Sequence, residues 1–159
     1  MPEGMIFPSR TAQRVAETSP EPFRLALKLP QDVTRLSVGE PDFDTPEFVK
    51  QAAKDAIDKG LTHYSPATGF DHLRTAVAEK LRQDNGIRCD PENEVLITPG
   101  SSSGIFLSLL VLADPGDEVL VPDPSWFHYT TLISLCGAKA VSVPVTFDPF
   151  PLIDPEEVE

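Results

Sequence analysis

Positive charge is scarce in this chain. Lys and Arg number 13 against 25 Asp and Glu, a net charge of −12 over 159 residues. A nucleic-acid backbone or an anionic membrane surface needs a basic face, so neither is a fitting partner. The acidic residues are spread along the chain and serve solubility. Only Asp154 to Glu159 gather, where the chain reads as the start of a helix. Cysteine is rare too. Cys89 and Cys136 stand in no paired spacing, and Met1 to Arg10 show no basic stretch followed by an apolar run. Free, reduced thiols and a cytoplasmic location are the expectation. The longest apolar run, Ile105 to Ala113, is interrupted by Ser108 and is too short to cross a bilayer. His63, His72 and His128 have no metal-ligand spacing, and Asp42 and Asp44 lack the other ligands of a calcium loop. The G-x-G-x-x-G fingerprint and the Gly-Lys-Ser/Thr of a nucleotide P-loop are both missing. No internal repeat is visible.

What is present is a globular composition. Apolar residues make up 40% and charged residues 24%, enough for one domain with a core. The 17 prolines punctuate elements and form no repeat. Residues 1–35 read as an N-terminal helical arm, with one helix from Ser9 to Glu17 and a second from Pro22 to Leu29. Thr45-Pro46-Glu47 reads as a helix start, with Thr45 as N-cap and Gly60 as the stop. A second helix is predicted over Asp71 to Asn85, with Leu73, Val77 and Leu81 on one face and Gly86 ending it. Val95 to Ile97 reads as a strand, and Ser102 to Leu112 as a helix apolar nearly all round and therefore buried. Asp114 to Asp117 is a turn. Val119 to Val121 is a strand, Ser125 to Leu135 a helix stopped by Gly137, and Ala140 to Val143 a further strand. Strand and helix alternating at this spacing predict an α/β fold with a mainly parallel sheet.

The chemistry sits in the loops. Gly100-Ser101-Ser102-Ser103 follows a strand and opens a helix. The first turn of a helix has unpaired N–H groups and a partial positive charge, and small residues let an anion come close. Alone, the loop is as readily an ordinary serine cap. Trp126 is the only tryptophan and follows the next strand, on the same rim as the serines. Such a residue is more often core, but here it could stack on a flat ring. Gly39, in the loop Ser37 to Asp44, could present its N–H to a carboxylate.

Taken together, Leu36 to Pro144 resembles the N-terminal part of a class I/II aminotransferase of the pyridoxal phosphate fold-type I superfamily. The residues that carry the likeness are Leu36-Ser-Val-Gly-Glu-Pro-Asp-Phe-Asp-Thr-Pro46, Tyr64-Ser-Pro-Ala-Thr-Gly69 with Leu73-Arg74, Ile97-Thr-Pro-Gly-Ser-Ser-Ser-Gly104, Asp114 to Val119, and Val121-Pro-Asp-Pro-Ser-Trp126. The resemblance implies a partial fold-type I large domain over residues 36–159. Gly39 would bind the substrate carboxylate. Ser101 and Ser102 would hold the phosphate of pyridoxal 5'-phosphate, Tyr64 would reach the phosphate of a neighbouring subunit in a homodimer, and Trp126 would stack on the ring. The reaction implied is transfer of an amino group between an amino acid and a 2-oxo acid. A lyase or synthase on the same scaffold, or a non-catalytic truncated paralogue, are the alternatives.

The family pattern continues with an Asn-Pro-x-Gly segment, an aspartate at the pyridine nitrogen, a Schiff-base lysine and a carboxylate-binding arginine. None is found here. Lys28, Lys50, Lys54, Lys59, Lys80 and Lys139 lack the serine-rich strand-end context of the family's lysine. The 159-residue chain is therefore expected to be inactive alone, and to expose strand edges and its apolar helix.

Overall fold

A computed structural model of the chain describes residues 39–147, together with residues 12, 15, 30, 32–34, 36, 150, 152 and 153. The two helices expected before Pro30 fall almost wholly outside the described residues. The chain divides after Ser101 into two compact units, one over Val38–Ser101 and one that includes residues 102–153.

The first unit is helical. α1 spans Glu47–Asp58 and α2 spans Asp71–Asn85. α1 starts one residue later than expected. Pro46 is the N-cap, and its carbonyl accepts from the N–H groups of Val49 and Lys50. Thr45 does not cap. Its own N–H is taken by the Asp44 carboxylate at 2.8 Å. The far end closes as the sequence reads. Gly60 has φ +72°, Leu61 N–H reaches the Ala56 carbonyl and Gly60 N–H the Ile57 carbonyl, which is a Schellman motif. Gly86, with φ +69°, stops α2.

The inner face of α2 is not quite the expected one. Arg74 and Ala78 are its buried residues, with Val77 and Leu81 half-buried beside them, while Leu73 is exposed. Arg74 is only 8% exposed. Its guanidinium donates to the carbonyls of Pro91 (3.0 Å) and Glu92 (2.8 Å) and to the Asp71 carboxylate (2.6 Å). The turn that presents those carbonyls is built by Asp90, which accepts from Glu92 N–H and the Asn93 amide. These bonds hold the Asp90 carboxyl below its usual range, the backbone donor contributing most.

Val95 to Ile97, expected as a strand, is not one. A strand exists only by pairing. Here the Ile97 N–H bonds the Thr68 carbonyl at 3.1 Å, and among the described residues no neighbouring strand takes the rest of the segment.

The second unit carries the sheet. α3 spans Ser101–Leu112, β1 Glu118–Asp123, α4 His128–Leu135, β2 Lys139–Thr146 and β3 Leu152–Ile153. β1 and β2 pair in parallel, Val119 opposite Ala140 and Val121 opposite Ser142. Their connection is α4, the strand–helix–strand unit the sequence predicts. β3 adds antiparallel to the end of β2. The turn Asp114 to Asp117 closes with Asp117 N–H on the Asp114 carbonyl, and Gly116 takes φ +99°, as a type II turn requires after Pro115. Val121, Ile133 and Ala138 form the core, with Leu109, Ala113, Val119, Tyr129 and Ala140 packed on it. α4 begins at His128, later than the expected Ser125.

α3 corrects a further expectation. None of its residues is buried, and Val111 is 82% exposed. It is apolar on every side, and the core takes up only the face that carries Leu109.

Candidate functional site

Phosphate-binding loops depend on backbone conformation first. Thr98 to Gly100 forms a tight turn in which Gly100 N–H bonds the Thr98 carbonyl at 2.8 Å and the Thr98 hydroxyl bonds the Gly100 carbonyl at 3.0 Å. Gly100 takes φ +85°, a conformation that favours glycine, and a Cβ there would meet nothing within 4 Å. The space in front of it is open. Ser101 and Ser102 follow at once as the first residues of α3, and both are exposed. A positive helix end, small side chains and two exposed hydroxyls thus meet at one point. That set of donors suits an anion and offers nothing to a cation.

The segment before this turn is located by Gly69. A Cβ on Gly69 would lie 2.5 Å from Ile97 Cγ1, and its φ is +94°. Only glycine lets the Pro66–Gly69 turn lie against Ile97, two residues ahead of the loop's first glycine neighbour Pro99. Tyr64, at the start of that turn segment, is fully exposed. Gly39 is exposed as well, with nothing within 4 Å of a notional Cβ. Gly39, Tyr64 and Ser101 belong to the first unit.

Trp126 belongs to the second unit. The residue is 37% exposed and sits past the carboxyl end of β1. The His128 ring packs on it at 4.5 Å, and the Tyr129 ring meets it edge-on at 5.4 Å. Neighbouring rings therefore restrict its plane. Trp126 lines a cavity of about 300 Å³ with Asp123, Ser125, Phe127, Thr130 and Ser142. The Ser142 hydroxyl donates to the Asp123 carboxylate at 2.9 Å and ties the end of β1 to the middle of β2. The cavity is thus at the carboxyl edge of a parallel pair, where ligands collect in open α/β sheets.

Ser101 and Ser102 are thus placed together on one helix end. Trp126 has a cavity of its own, and Tyr64 and Gly39 stand in solvent. Sequence reasoning missed Arg74 as a structural clamp and Gly69 as a contact point. The run Arg74, Val77, Ala78, Leu81 is a helical face that already puts the arginine inward, and Asp90-Pro91-Glu92-Asn93 is a legible turn.

The described lysines are on the surface. Lys50 pairs with Asp44 and Glu47, both at 2.9 Å, Lys54 lies 4.0 Å from Glu47, Lys80 lies 3.8 Å from Asp84, and Lys139 pairs with Glu118 at 2.6 Å. The Glu47 and Asp44 carboxylates push the Lys50 ammonium above its usual range, away from a nucleophilic amine. Among the described residues no group of three His, Cys, Asp or Glu could hold a metal ion, and no helix is long and apolar enough to cross a membrane. Cys89 and Cys136 are both free, and burial pushes the Cys136 thiol up.

Residues 31–157 match the family described as aminotransferase class I and II. The chain is 43% identical over 136 residues to aromatic-amino-acid aminotransferase 2 of Thermococcus litoralis, covering 84% of this chain and 35% of that protein. It is 44% identical over 114 residues to an aspartate aminotransferase of Pyrococcus abyssi, covering 72% of this chain and 29% of that one. Among solved structures, an aromatic aminotransferase from Pyrococcus horikoshii superposes with a TM-score of 0.76 at 41% identity, over 85% of this chain and 36% of that structure. The chain therefore spans about a third of the length of these relatives. The family match, the identities and the superposition agree, and the chain belongs to the class I and II aminotransferases, as part of a fold-type I α/β domain.

Proposed function

We propose that this chain supplies the phosphate- and ring-holding part of a pyridoxal 5'-phosphate-dependent aminotransferase. The observation that carries the reading is the start of α3, where Gly100 at φ +85° and exposed Ser101 and Ser102 form an anion-binding helix end inside a family-matched segment. The residues fit the cofactor. A phosphate suits that helix end, and a pyridine ring suits the face of Trp126. When bound, the cofactor supplies an electron sink for chemistry at the amino acid's α-carbon.

The chain's own residues have roles in binding and orientation. The Ser101 and Ser102 hydroxyls and the N–H groups of the first turn of α3 donate to phosphate oxygens. Trp126 excludes water from one side of the ring, and His128 and Tyr129 keep its plane. Gly39 offers its N–H to the substrate carboxylate, and Tyr64 donates to the phosphate held by a second copy in a homodimer. The substrates are an amino acid and a 2-oxo acid. Aspartate and aromatic amino acids are the donors named for the relatives. The setting is amino-acid metabolism in the cytoplasm.

As a 159-residue polypeptide the chain is expected not to transaminate, since Lys54, Lys59, Lys80 and Lys139 are exposed, and Lys50, half-buried, is paired with Asp44 and Glu47. Borohydride treatment after addition of pyridoxal phosphate tests this. Scattered, weak labelling is expected. A stoichiometric adduct on one lysine contradicts it.

A further inference from the structure

Trp126, Phe127, His128 and Tyr129 set four rings in a row between the end of β1 and the first turn of α4. His128 is half-buried among them. Its ring centroid is 4.5 Å from that of Trp126, with the planes tilted by 45°, and 4.2 Å from that of Phe127, nearly perpendicular at 84°. Trp126 and Phe127 are 6.2 Å apart, so His128 is nearer to each than they are to each other. Both of its distances fall within the roughly 6 Å over which a cation draws on a π face. An imidazole placed there has two different effects on the indole. Neutral, it is a flat wall that leaves the indole's electrons available to another ring. Charged, it is a cation against the same indole and draws those electrons towards itself. Histidine is the side chain that ordinarily changes charge between about pH 5 and 8. The other titratable groups at this corner, among the described residues, are Asp123 at the end of β1, which shares the cavity with Trp126, and Tyr129 of α4, edge-on to the indole at 5.4 Å. His128 is also the first residue of α4, at the helix's positive end. From β2 the cavity takes Ala140 and the Ser142 hydroxyl, neither of them charged. The Lys139 and Glu118 pair stands at the opposite end of the two strands.

We propose that His128 is a positioning residue for the ring site, and that its charge state sets how strongly Trp126 holds a pyridine ring. The proposal rests on the reading of Trp126 as the wall on which that ring stacks. An electron-poor or protonated pyridine needs an electron-rich face opposite it. Neutral His128 leaves that face intact while fixing its plane. Charged His128 competes for the same electrons and sets a like charge against a protonated pyridine across the indole. Protonation and ring binding are then linked in both directions: the factor by which the proton weakens the ring's affinity is the factor by which the ring weakens the proton's.

The test uses pyridoxine, which carries the ring but neither the phosphate nor the aldehyde, so the serine loop and lysine adducts do not enter. Fluorescence of Trp126, the sole tryptophan, is titrated with pyridoxine at about pH 5.5 and about pH 8, across histidine's ordinary range, in the wild-type chain and in His128→Phe. His128→Phe keeps a ring beside the indole and cannot be charged. The wild type is expected to lose affinity on acidification by at least about threefold more than His128→Phe, the size of an exposed cation–π contact. Comparing the two chains cancels the ligand's own titration. The second readout is proton NMR of the three imidazoles, His63, His72 and His128. Saturating pyridoxine is expected to move one titration midpoint to lower pH, that of the resonance missing from His128→Phe, and to leave the other two in place. The same pH dependence in both chains overturns the proposal and leaves the ring site standing. Absence of saturable quenching of the wild type at the higher pH overturns both, since Trp126 then holds no ring. If His128→Phe does not fold, the wild-type NMR titration decides, and three unmoved midpoints overturn the proposal.

Discussion

At the scale of single residues, two positions set the geometry ahead of the serine loop. Gly69 faces Ile97 so closely that a methyl group has no room, and its φ of +94° is unfavourable for any other residue. Gly69→Ala is expected to destabilise the chain by about 2 kcal/mol or more, from the combined clash and backbone strain. A urea melt followed by circular dichroism measures it, and a midpoint equal to wild type contradicts the clash. Arg74 is the other position. Its truncation leaves the carbonyls of Pro91 and Glu92 without their donor in a part-buried site. Arg74→Ala is expected to cost about 2–3 kcal/mol, the range for bonds to a charged group left unmade. Arg74→Lys is expected to recover only part of this, because one ammonium cannot reproduce the forked contacts to two carbonyls and Asp71. The helical face that turns Arg74 inward has a local signal in the sequence, but the contact of Gly69 does not. Tyr64-Ser-Pro-Ala-Thr-Gly69 reads as a loop, but that its glycine touches Ile97, 28 positions on, is a tertiary fact. The serines were legible, since Gly-Ser-Ser-Ser before an apolar helix has a local physical meaning.

At the scale of elements, legibility followed how local the signal was. α2 was read to the residue, because its apolar spacing and Gly86 are both local. The end of α1 was legible for the same reason, while its start lies one residue later than expected. Val95 to Ile97 failed as a strand because apolar composition cannot supply a partner. α3 failed as a buried helix because burial depends on what lies outside it. α2 also gives a pH prediction. Glu79 accepts from Arg82 at 2.9 and 2.6 Å and from the Gln83 amide, and its carboxyl is lowered from 4.5 to about 2, Arg82 being the main cause. A folded-state value below the unfolded one means that the contribution is complete above about pH 4.5 and is lost as pH falls towards 2. The pair is exposed, so salt should reduce it. Glu79→Gln is expected to flatten the fall in stability over that window, measured as urea midpoints against pH at low salt. An unchanged profile contradicts the assignment. On α3, Val111→Lys is expected to reduce self-association of the chain without loss of helix content, since Val111 touches water and not the core. Light scattering at rising concentration checks this.

At the scale of the whole molecule, the family was legible because several motifs stand in order at the right spacing, from Gly39 through Tyr64 and Ser101 to Trp126. No single motif carried it. Parallel pairing of β1 and β2 through α4 follows from the same alternation of elements. The chain's proposed share of the work is to grip phosphate and flank a ring, with the remaining chemistry assigned to sequence it does not match. The most direct measurement of that claim uses Trp126, the sole tryptophan, as its own reporter. Its fluorescence is titrated with pyridoxal phosphate and, separately, with pyridoxal, in the wild-type chain and in the Ser101→Ala/Ser102→Ala variant. Saturable quenching by pyridoxal phosphate is expected, weakened at least about tenfold by loss of either the phosphate or the two hydroxyls, as removal of hydrogen bonds to a charged group implies. Equal quenching by both ligands, or by the variant and the wild type, contradicts it.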